Sequence, residues 1–364
     1  MKVGVLGAGQ LARMIALAGV PLGVEFIFLD PAKDAGANRL GEALTGDYYD
    51  PDLLAQLAEK ADVVTYEFEN VPAHVAEFLA THTEVHPDPK ALATAQDRLI
   101  EKNFFNAIGI PTPNYAPVNS LEELQQAMTT IGYPAILKSR TQGYDGKGQS
   151  VLRSADDLSA AWDILNGVPA IVEGFVPFNR EVSIIALRST TGEIKFYPLA
   201  ENVHRGGILR VSEGLANDPQ QAKAQDYATR LLEALDYVGV LALELFDVNG
   251  ELIANEFAPR VHNSGHWTIE GAETSQFENH LRAILGLPLG ATDLVGSSAM
   301  VNFIGGVPDS KAVLAIPHAH LHLYDKAPRK GRKVAHATIR AKDRAQLTEC
   351  LKPLIALADA TDDF

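Results

Sequence analysis

The alternation of apolar and polar residues at the start of the chain predicts a strand, a glycine turn and a helix. Residues 3–6 are apolar, residues 7–9 read Gly-Ala-Gly, and apolar side chains then recur at helical spacing from Leu11 to Ala18. Two further apolar runs lead into the acidic residues Asp30 and Glu67. Strands that alternate with helices in this way predict an α/β domain whose ligands bind at the carboxyl edge of the sheet.

The glycine turn also has a specific alternative interpretation. Gly7, Gly9 and Ala12 match a dinucleotide-binding fingerprint, and Asp30 stands where an acid that binds ribose is expected. This favours an NAD-linked oxidoreductase. However, any turn that brings a helix N-terminus close to a phosphate favours glycines, so the fingerprint alone does not select that function.

Two apolar runs around the Asn-Gly pair at 249–250 predict a hairpin in which each strand carries one glutamate, Glu244 or Glu256. An unpaired buried carboxylate is costly, so the pair indicates a shared cation; the alternative is that both side chains face solvent. A strict two-residue turn would place the glutamates on opposite faces, whereas a three-residue or bulged loop, with Asp247 opposite Glu251, would place them on one face. The metal interpretation therefore predicts the odd-length loop.

The middle of the chain has further features that suit a nucleotide. Lys138 ends an apolar strand, and the glycine-rich loop at 143–149 has backbone N–H groups that can close on phosphates, although a surface turn is an equal alternative. Another strand passes into residues 173–176, where exposed backbone can recognise adenine, and Glu181 follows as a candidate ribose ligand. A long helix is predicted from Pro89 to Asn106.

Composition narrows the functional class. The net charge of −15 argues against a nucleic-acid partner. No apolar run approaches the about 18 residues of a membrane span, and the N-terminus lacks a secretory pattern. The single cysteine, Cys350, is expected to be a buried apolar residue in a reducing compartment. These features predict a cytoplasmic protein with small-molecule substrates and no membrane partner.

The order of these features resembles the ATP-grasp fold: a strand lysine, a glycine loop, a strand that enters EGFV, and a hairpin with two glutamates. The segments GAGQL, RTQGYDGKGQ, EGFV, HRGGILR and above all NEFAPRVHNSGHWT are similar to the N5-carboxyaminoimidazole ribonucleotide synthetase family. The resemblance implies an α/β (α+β) architecture of three domains. These are a Rossmann-like pre-ATP-grasp domain (1–97), an ATP-grasp domain (98–292) and a small β-rich C-terminal domain (293–364).

The resemblance also implies ATP, Mg²⁺, bicarbonate and 5-aminoimidazole ribonucleotide as ligands, with carboxyphosphate as the intermediate, and a homodimer. The metal ligands would be Glu244 and Glu256. The implied nucleotide ligands are Arg98, Lys138, Gly143, Tyr144, Asp145, Gly146, Lys147, Gly148, Gln149, Glu173, Gly174, Phe175, Val176, Glu181, His204, Asn255 and Glu256.

The remaining residues that the resemblance implies would bind bicarbonate and the ribonucleotide or take part in the chemistry. The candidates for chemistry are Arg260, His262 and Asn263, with Tyr144 and Asp145 from the glycine loop. His262 is a candidate for proton transfer, although an orienting hydrogen bond is the simpler role. The implied ribonucleotide ligands are Gln10, Leu11, Glu67, Lys326, Arg332 and Lys333.

Three other functions remain open at this level. A sister ligase that activates formate for glycinamide ribonucleotide would share the nucleotide site and differ around residues 260–267. An NAD-linked oxidoreductase would leave Glu244, Glu256 and the basic run near Lys326 without a role. A degenerate ATP-binding protein without activity is the third.

Overall fold

Three sheets organise the computed structural model, which describes residues 1–143 and 148–362. The strands are β1 (Lys2–Leu6), β2 (Glu25–Asp30), β3 (Glu42–Thr45), β4 (Val63–Tyr66), β5 (Glu84–Val85), β6 (Tyr115–Val118), β7 (Ala135–Ser139), β8 (Gln149–Leu152), β9 (Ala170–Gly174), β10 (Arg180–Arg188), β11 (Ile194–Phe196), β12 (Ala200–Arg205), β13 (Ile208–Gly214), β14 (Gly239–Val248), β15 (Glu251–Ala258), β16 (Ser297–Gly305), β17 (Ala319–Leu323) and β18 (Arg329–Ala341).

Helices cover the faces of these sheets. They are α1 (Gln10–Gly19), α2 (Pro51–Lys60), α3 (Ala73–Ala80), α4 (Pro89–Gln96), α5 (Arg98–Ala107), α6 (Leu121–Ile131), α7 (Leu158–Leu165), α8 (Gln221–Ala234), α9 (Thr268–Gly271), α10 (Gln276–Ile284), α11 (Ser310–Leu314) and α12 (Arg344–Asp359). Within the described ranges, none of them has the length and apolar character that a bilayer crossing requires. Cys350 is buried in α12, as predicted.

The N-terminal sheet is parallel and has the strand order β3-β2-β1-β4-β5. Its central strand β1 is enclosed on both faces, since Val5 and Leu6, which point to opposite faces, are both fully buried. A strand that lies between two layers of helices has to be apolar throughout, which is the pattern of residues 3–6. The predicted Rossmann-like α/β domain is confirmed.

The predicted helix from Pro89 to Asn106 is wrong, because it is divided into α4 and α5 at Asp97. Asp97 has an extended backbone (φ −123°, ψ 113°), and its side chain accepts a hydrogen bond from the Leu99 N–H at 2.9 Å. An aspartate that caps a helix start competes with continuation of the preceding helix. The helical hydrogen-bond ladder is therefore interrupted at Asp97, and α5 begins as a separate helix.

The remaining strands form two sheets. Strands β6, β9, β7 and β8 build a four-stranded antiparallel sheet. The larger sheet has the order β15-β14-β10-β12-β13-β16-β18-β17, with β11 added beside β10. The predicted boundary at 292/293 falls inside this sheet's connectivity, because Val211 of β13 pairs with Val301 of β16. The C-terminal β-rich unit therefore continues the sheet of the middle unit.

The N-terminal sheet and the large sheet share one hydrophobic core. Val5 and Met14 of the N-terminal unit belong to the same buried cluster as Phe277 and Leu281 of α10. Helix α1 approaches α10 so closely at Gly19 that an added Cβ would lie 2.9 Å from the Leu281 side chain. This continuous packing fixes the carboxyl edge of the N-terminal sheet relative to the large sheet.

The glycine turn after β1 binds carboxylates of the protein itself. Glu67 accepts hydrogen bonds from the Gly9 N–H at 2.5 Å and the Ala12 N–H at 2.9 Å, and Asp30 accepts one from the Ala8 N–H at 2.9 Å. An added Cβ at Gly9 would lie 2.5 Å from the Glu67 carboxylate. The amides that a dinucleotide phosphate would need are thus already satisfied, so the glycines make room for Glu67 and the NAD interpretation is wrong.

We expect Glu67→Ala to lower the free energy of unfolding by about 1–3 kcal/mol, because it leaves helix N–H groups buried without an acceptor. Urea denaturation followed by circular dichroism measures this change. The matched control is Glu25→Ala, which removes an exposed glutamate from β2 of the same sheet. Equal urea midpoints for the two variants would contradict the capping role of Glu67.

Candidate active site

A cavity of about 380 Å³ lies where the carboxyl edge of the N-terminal sheet faces β14 and β15. It brings together many of the residues predicted from the sequence. The predicted residues that line it are Gln10, Leu11, Glu67, Arg98, Gly143, His204, Glu244, Glu256, Arg260, His262, Asn263 and Lys333. Residues far apart in the sequence therefore converge on one polar chamber.

Glu244 and Glu256 are directly opposite each other on neighbouring strands, as the metal interpretation requires. The predicted odd-length loop is wrong, however: Asp247 pairs with Leu252, and Asn249 and Gly250 form a two-residue turn with φ of 53° and 88°. A β-bulge supplies the odd residue instead. Leu245 pairs with Ala254 and Glu244 pairs with Glu256, so one extra residue in β15 shifts the register and returns both glutamates to one face.

The Glu244 carboxylate is ionised less readily than an exposed glutamate. Burial, reinforced by the nearby charge of Glu256, raises the pKa of Glu244 to about 7. Arg98 Nη2 lies 4.0 Å from Glu256 Oε2. Among the described residues, no three His, Cys, Asp or Glu side chains are arranged to hold a metal ion. A pair of carboxylates suits Mg²⁺, which commonly takes one or two carboxylates and completes its shell with water and substrate phosphates.

His262 contacts this pair and is held by a buried hydrogen-bond chain. Its Nε2 lies 3.2 Å from Glu244 Oε1, and its Nδ1 lies 2.8 Å from Ser264 Oγ. Ser264 Oγ in turn accepts from Ser183 Oγ at 2.7 Å, which leaves the Ser264 hydroxyl hydrogen for Nδ1. Burial and the charge of Arg260 keep the pKa of His262 well below its usual range. The neutral ring therefore carries its hydrogen on Nε2, the nitrogen that lies beside Glu244.

Arg260 connects the two sheets through an acid that the sequence analysis did not assign to the site. Its Nε is ion-paired with Glu69, which follows β4, and its Nη1 donates to the Val261 carbonyl at 3.0 Å. Burial disfavours the ionised form of Glu69, but Arg260 outweighs burial and lowers the pKa of that carboxyl. Glu69 was visible as an acid at the end of a strand, but nothing in the sequence indicated its partner.

The segment at 173–176, which was predicted to contact adenine, begins with Glu173, whose carboxylate is instead paired with two lysines. The Glu173 carboxylate is buried, 3.0 Å from Lys138 Nζ and 3.6 Å from Lys102 Nζ. Burial opposes ionisation, yet the two lysines lower the pKa of Glu173 to about 2. The N–H groups of Gly174 and Phe175 donate hydrogen bonds to carbonyls of other segments, and the Phe175 side chain is exposed. Contact with a base from this stretch therefore does not involve the Glu173 carboxylate.

Further predicted nucleotide residues adjoin the cavity. Arg98 donates to the carbonyls of Ser139 at 2.9 Å and Gly143 at 3.3 Å, so it fastens the start of the glycine loop to β7. Glu181 lies 3.0 Å from His204 Nδ1, and His204 in turn lines the cavity. Gly148 and Gln149 return the chain to β8, with a positive φ of 69° at Gly148. The predicted residues Tyr144, Asp145, Gly146 and Lys147 lie outside the described residues.

The basic C-terminal run reaches the cavity in part. Lys326 Nζ hydrogen-bonds the Gln10 side chain of α1, and Lys333 lines the cavity wall. Arg332 instead donates to the Ala327 carbonyl at 3.3 Å and is not part of the lining. The structure thus joins Lys326 and Lys333 to the N-terminal unit, whereas Arg332, at the start of β18, is turned toward the segment that precedes its strand.

Two buried charged residues of α5 were missed by the sequence analysis. Lys102 Nζ donates to the Asn255 carbonyl at 2.5 Å, and Glu101 accepts from the Phe257 N–H at 2.7 Å. Burial raises the pKa of Glu101 to about 8, against the opposing charge of Lys102. A charged pair at the start of a helix usually faces solvent, so no local pattern indicated that these side chains point inward.

Comparisons with known proteins place this architecture in one family. Residues 1–96 match the ribonucleotide synthetase preATP-grasp domain, residues 103–277 the ATP-grasp domain, and residues 298–350 the phosphoribosylaminoimidazole carboxylase C-terminal domain. An N5-carboxyaminoimidazole ribonucleotide synthase of Pseudomonas aeruginosa is 56% identical over 360 residues, covering 99% of this chain and 100% of that protein.

Solved structures agree in fold along nearly the whole chain. The crystal structure of N5-carboxyaminoimidazole ribonucleotide synthetase from Thermus thermophilus has a TM-score of 0.93 at 53% identity, covering 98% of both chains. An Aspergillus clavatus N5-carboxyaminoimidazole synthase in complex with ADP and 5-aminoimidazole ribonucleotide has a TM-score of 0.93 at 34% identity, covering 99% of this chain and 98% of that one. The chain described above therefore belongs to the N5-carboxyaminoimidazole ribonucleotide synthase family of ATP-grasp enzymes.

Proposed function

We propose that this protein is an ATP-dependent ligase that carboxylates 5-aminoimidazole ribonucleotide with bicarbonate, giving N5-carboxyaminoimidazole ribonucleotide for purine biosynthesis. The observation that carries this proposal is the convergence of Glu244 and Glu256 in one cavity with Arg260 and His262. Paired carboxylates suit the metal of a nucleoside triphosphate, and the adjacent donors suit an anionic acceptor. This family function takes precedence over the formate ligase and the NAD-linked enzyme.

The phosphates of ATP are assigned to Arg98 and Lys138. Both cations lie beside the glycine loop, and Lys138 is held 3.0 Å from Glu173 Oε2. The ion pair fixes the position of the Lys138 ammonium group, so binding requires little rearrangement of its side chain. When Mg²⁺ is bound, Glu244 and Glu256 hold it and it neutralises phosphate charge.

The chemistry consists of two displacements. A bicarbonate oxygen attacks the γ-phosphorus and the bond to ADP breaks, which gives carboxyphosphate. The exocyclic amine of the ribonucleotide then attacks the carboxyl carbon, phosphate leaves, and the nitrogen loses a proton. Arg260 and Asn263 are assigned to the anionic oxygens, where fixed donors stabilise developing charge. His262 is assigned to orientation rather than proton transfer, since its Nε2–H already faces Glu244.

The ribonucleotide 5′-phosphate is assigned to the end of the cavity near Gln10. Lys326 contacts Gln10, and Lys333 lines the same wall. Burial lowers the pKa of Lys326, and a bound phosphate would offset that cost of burying the ammonium group. Leu11 and Glu67 border this end, and Arg332 would have to leave the Ala327 carbonyl to join it.

Two wider properties are part of the proposal. We assign the protein to the cytoplasm, because its single cysteine and its small charged metabolites fit a reducing, aqueous compartment. We also assign it a homodimeric state by resemblance to the family. Both assignments are open to direct measurement, the first by cell fractionation and the second by analytical ultracentrifugation.

We expect ADP release to require 5-aminoimidazole ribonucleotide and bicarbonate, and Glu256→Gln to lower turnover at least about 100-fold, because charge stabilisation of the phosphates is lost. A coupled assay of ADP release measures both. Glu251→Gln is the control, since it changes an exposed glutamate on the same strand. Turnover with formate and glycinamide ribonucleotide alone, or full activity of Glu256→Gln, would contradict the proposal.

Lys326→Met should raise the KM for the ribonucleotide by about tenfold or more, because one charged hydrogen bond to a phosphate contributes about 1.5–3 kcal/mol. The KM for ATP should stay within about twofold of the unmodified enzyme. Initial rates at varied ribonucleotide and at varied ATP give both constants. Lys330→Met serves as the control from the same basic run, because Lys330 is exposed. An increase confined to the KM for ATP would refute this assignment.

Ser264→Ala should lower kcat by up to about 100-fold with little change in the KM for ATP, because His262 loses the partner that fixes its ring and tautomer. Steady-state kinetics tests the prediction. Ser189→Ala, which removes a buried hydroxyl whose partners are Thr191 and Glu193, is the matched control. If both variants lose the same activity, the hydrogen-bond chain has no specific role.

A further inference from the structure

Strand β15 is an edge strand, and its outer side is covered by the segment that begins with α5. The strand order places β15 at the end of the large sheet, paired only with β14 within the described residues. The Ala254 N–H on its outer side donates to the Pro111 carbonyl at 2.8 Å. An uncovered edge would leave such groups unpaired, so this segment completes the hydrogen bonding of the sheet.

Side chains of two consecutive α5 residues bind this edge at the bulge. Lys102 Nζ donates to the Asn255 carbonyl at 2.5 Å, and Glu101 Oε1 accepts from the Phe257 N–H at 2.7 Å. Both side chains are almost completely buried, Glu101 with 2% and Lys102 with 1% of its surface exposed. The two backbone groups that they bind belong to the residues immediately before and after Glu256.

The bulge explains why these backbone groups need side-chain partners. In a regular strand, outward-facing groups occur at every second residue, and Ala254 is one of them. The extra residue shifts this alternation. As a result, the Asn255 carbonyl and the Phe257 N–H point outward, in place of the backbone groups of Glu256. A buried carbonyl or N–H without a partner is costly. Without Glu101 and Lys102, a register without the bulge becomes more favourable, and it turns Glu256 away from Glu244.

We infer that Glu101 and Lys102 are positioning residues that hold the β15 bulge, and thereby keep Glu256 opposite Glu244. This inference rests on the proposed function only in taking the two glutamates as metal ligands. The two residues act through the backbone on both sides of Glu256, without contact to the metal. Lys102 also lies 3.6 Å from Glu173, the carboxylate that is ion-paired with Lys138. It therefore links the bulge to that ion pair.

Glu101 allows positioning to be separated from metal ligation, because it also lines the cavity. Glu101→Gln keeps an oxygen that accepts from the Phe257 N–H but cannot supply an anionic oxygen to a metal ion. Glu101→Met has a similar length and removes the acceptor. A positioning residue tolerates the first change and not the second, whereas a metal ligand is impaired by both.

The experiment compares ADP affinity with Mn²⁺ and with EDTA for each purified full-length variant by isothermal titration calorimetry. Electron paramagnetic resonance measures the bound Mn²⁺ directly. Glu101→Met should reduce the Mn²⁺-dependent gain in ADP affinity by about tenfold or more, in the range found when groups that orient metal ligands are removed. Glu101→Gln should keep this gain within about threefold, and ADP affinity in EDTA should change little in either variant.

Three outcomes would contradict either the positioning role of Glu101 or the metal site of the proposed function. An unchanged Mn²⁺-dependent gain in Glu101→Met overturns the positioning role. Equal losses in Glu101→Gln and Glu101→Met overturn it in favour of direct ligation. If the unmodified enzyme shows no Mn²⁺-dependent gain, the metal site of the proposed function fails instead. Circular dichroism verifies folding, and Lys102→Met carries the same expected loss if Glu101→Met does not fold.

Discussion

Two carboxylates held opposite each other, one of them largely buried, are the constraint on which this active site depends. Glu244 and Glu256 face each other across neighbouring strands, and the burial of Glu244, reinforced by the nearby charge of Glu256, raises the pKa of Glu244 to about 7. Such an arrangement persists only if the surrounding structure enforces it. A bulge, a buried pair of charged side chains from α5 and the neutral ring of His262 together provide that enforcement.

The site is composite, because its residues come from both the N-terminal sheet and the large sheet, and from distant parts of the chain within the large sheet. Glu69 of the N-terminal unit holds Arg260 of the large sheet, and Lys326 of the C-terminal run contacts Gln10 of α1. Buried or partly buried contacts of this kind specify geometry more than they add stability, since the cost of removing charges from water offsets much of the attraction. Their contribution is the mutual placement of donors around one cavity.

Much of the fold and the central acids could be predicted from the sequence because they depend on local patterns. The parallel N-terminal sheet follows from apolar runs and helical spacing, and the Glu244–Glu256 pair follows from glutamates in otherwise apolar strands. The route to convergence could not be predicted, because the bulge is stabilised by Lys102, which is 153 residues from Asn255 in the sequence. Local pattern carries no information about such a distant partner.

The glycine turn is a second example of this limit, because its local pattern indicated an anion but not which anion. Its fingerprint was correct for a helix N-terminus that binds an anion, but that anion is the carboxylate of Glu67, 58 residues after Gly9. Arg332 illustrates a third case, in which a basic run contributes to the cavity but one of its side chains instead contacts the Ala327 carbonyl, five residues earlier in the chain. Sequence patterns identify the kind of group that is present, and tertiary packing decides what it faces.

The core shared by α1 and α10 has a consequence for how substrates enter. A hinge between the N-terminal sheet and the large sheet would have to separate Met14 from Phe277 and Leu281, exposing apolar surface that is now buried in one cluster. Bodily opening of the two units is therefore energetically disfavoured. The distance between the Gln10 end of the cavity and the carboxylate pair is therefore set by the fold, and a ligand that spans both ends has to match that length.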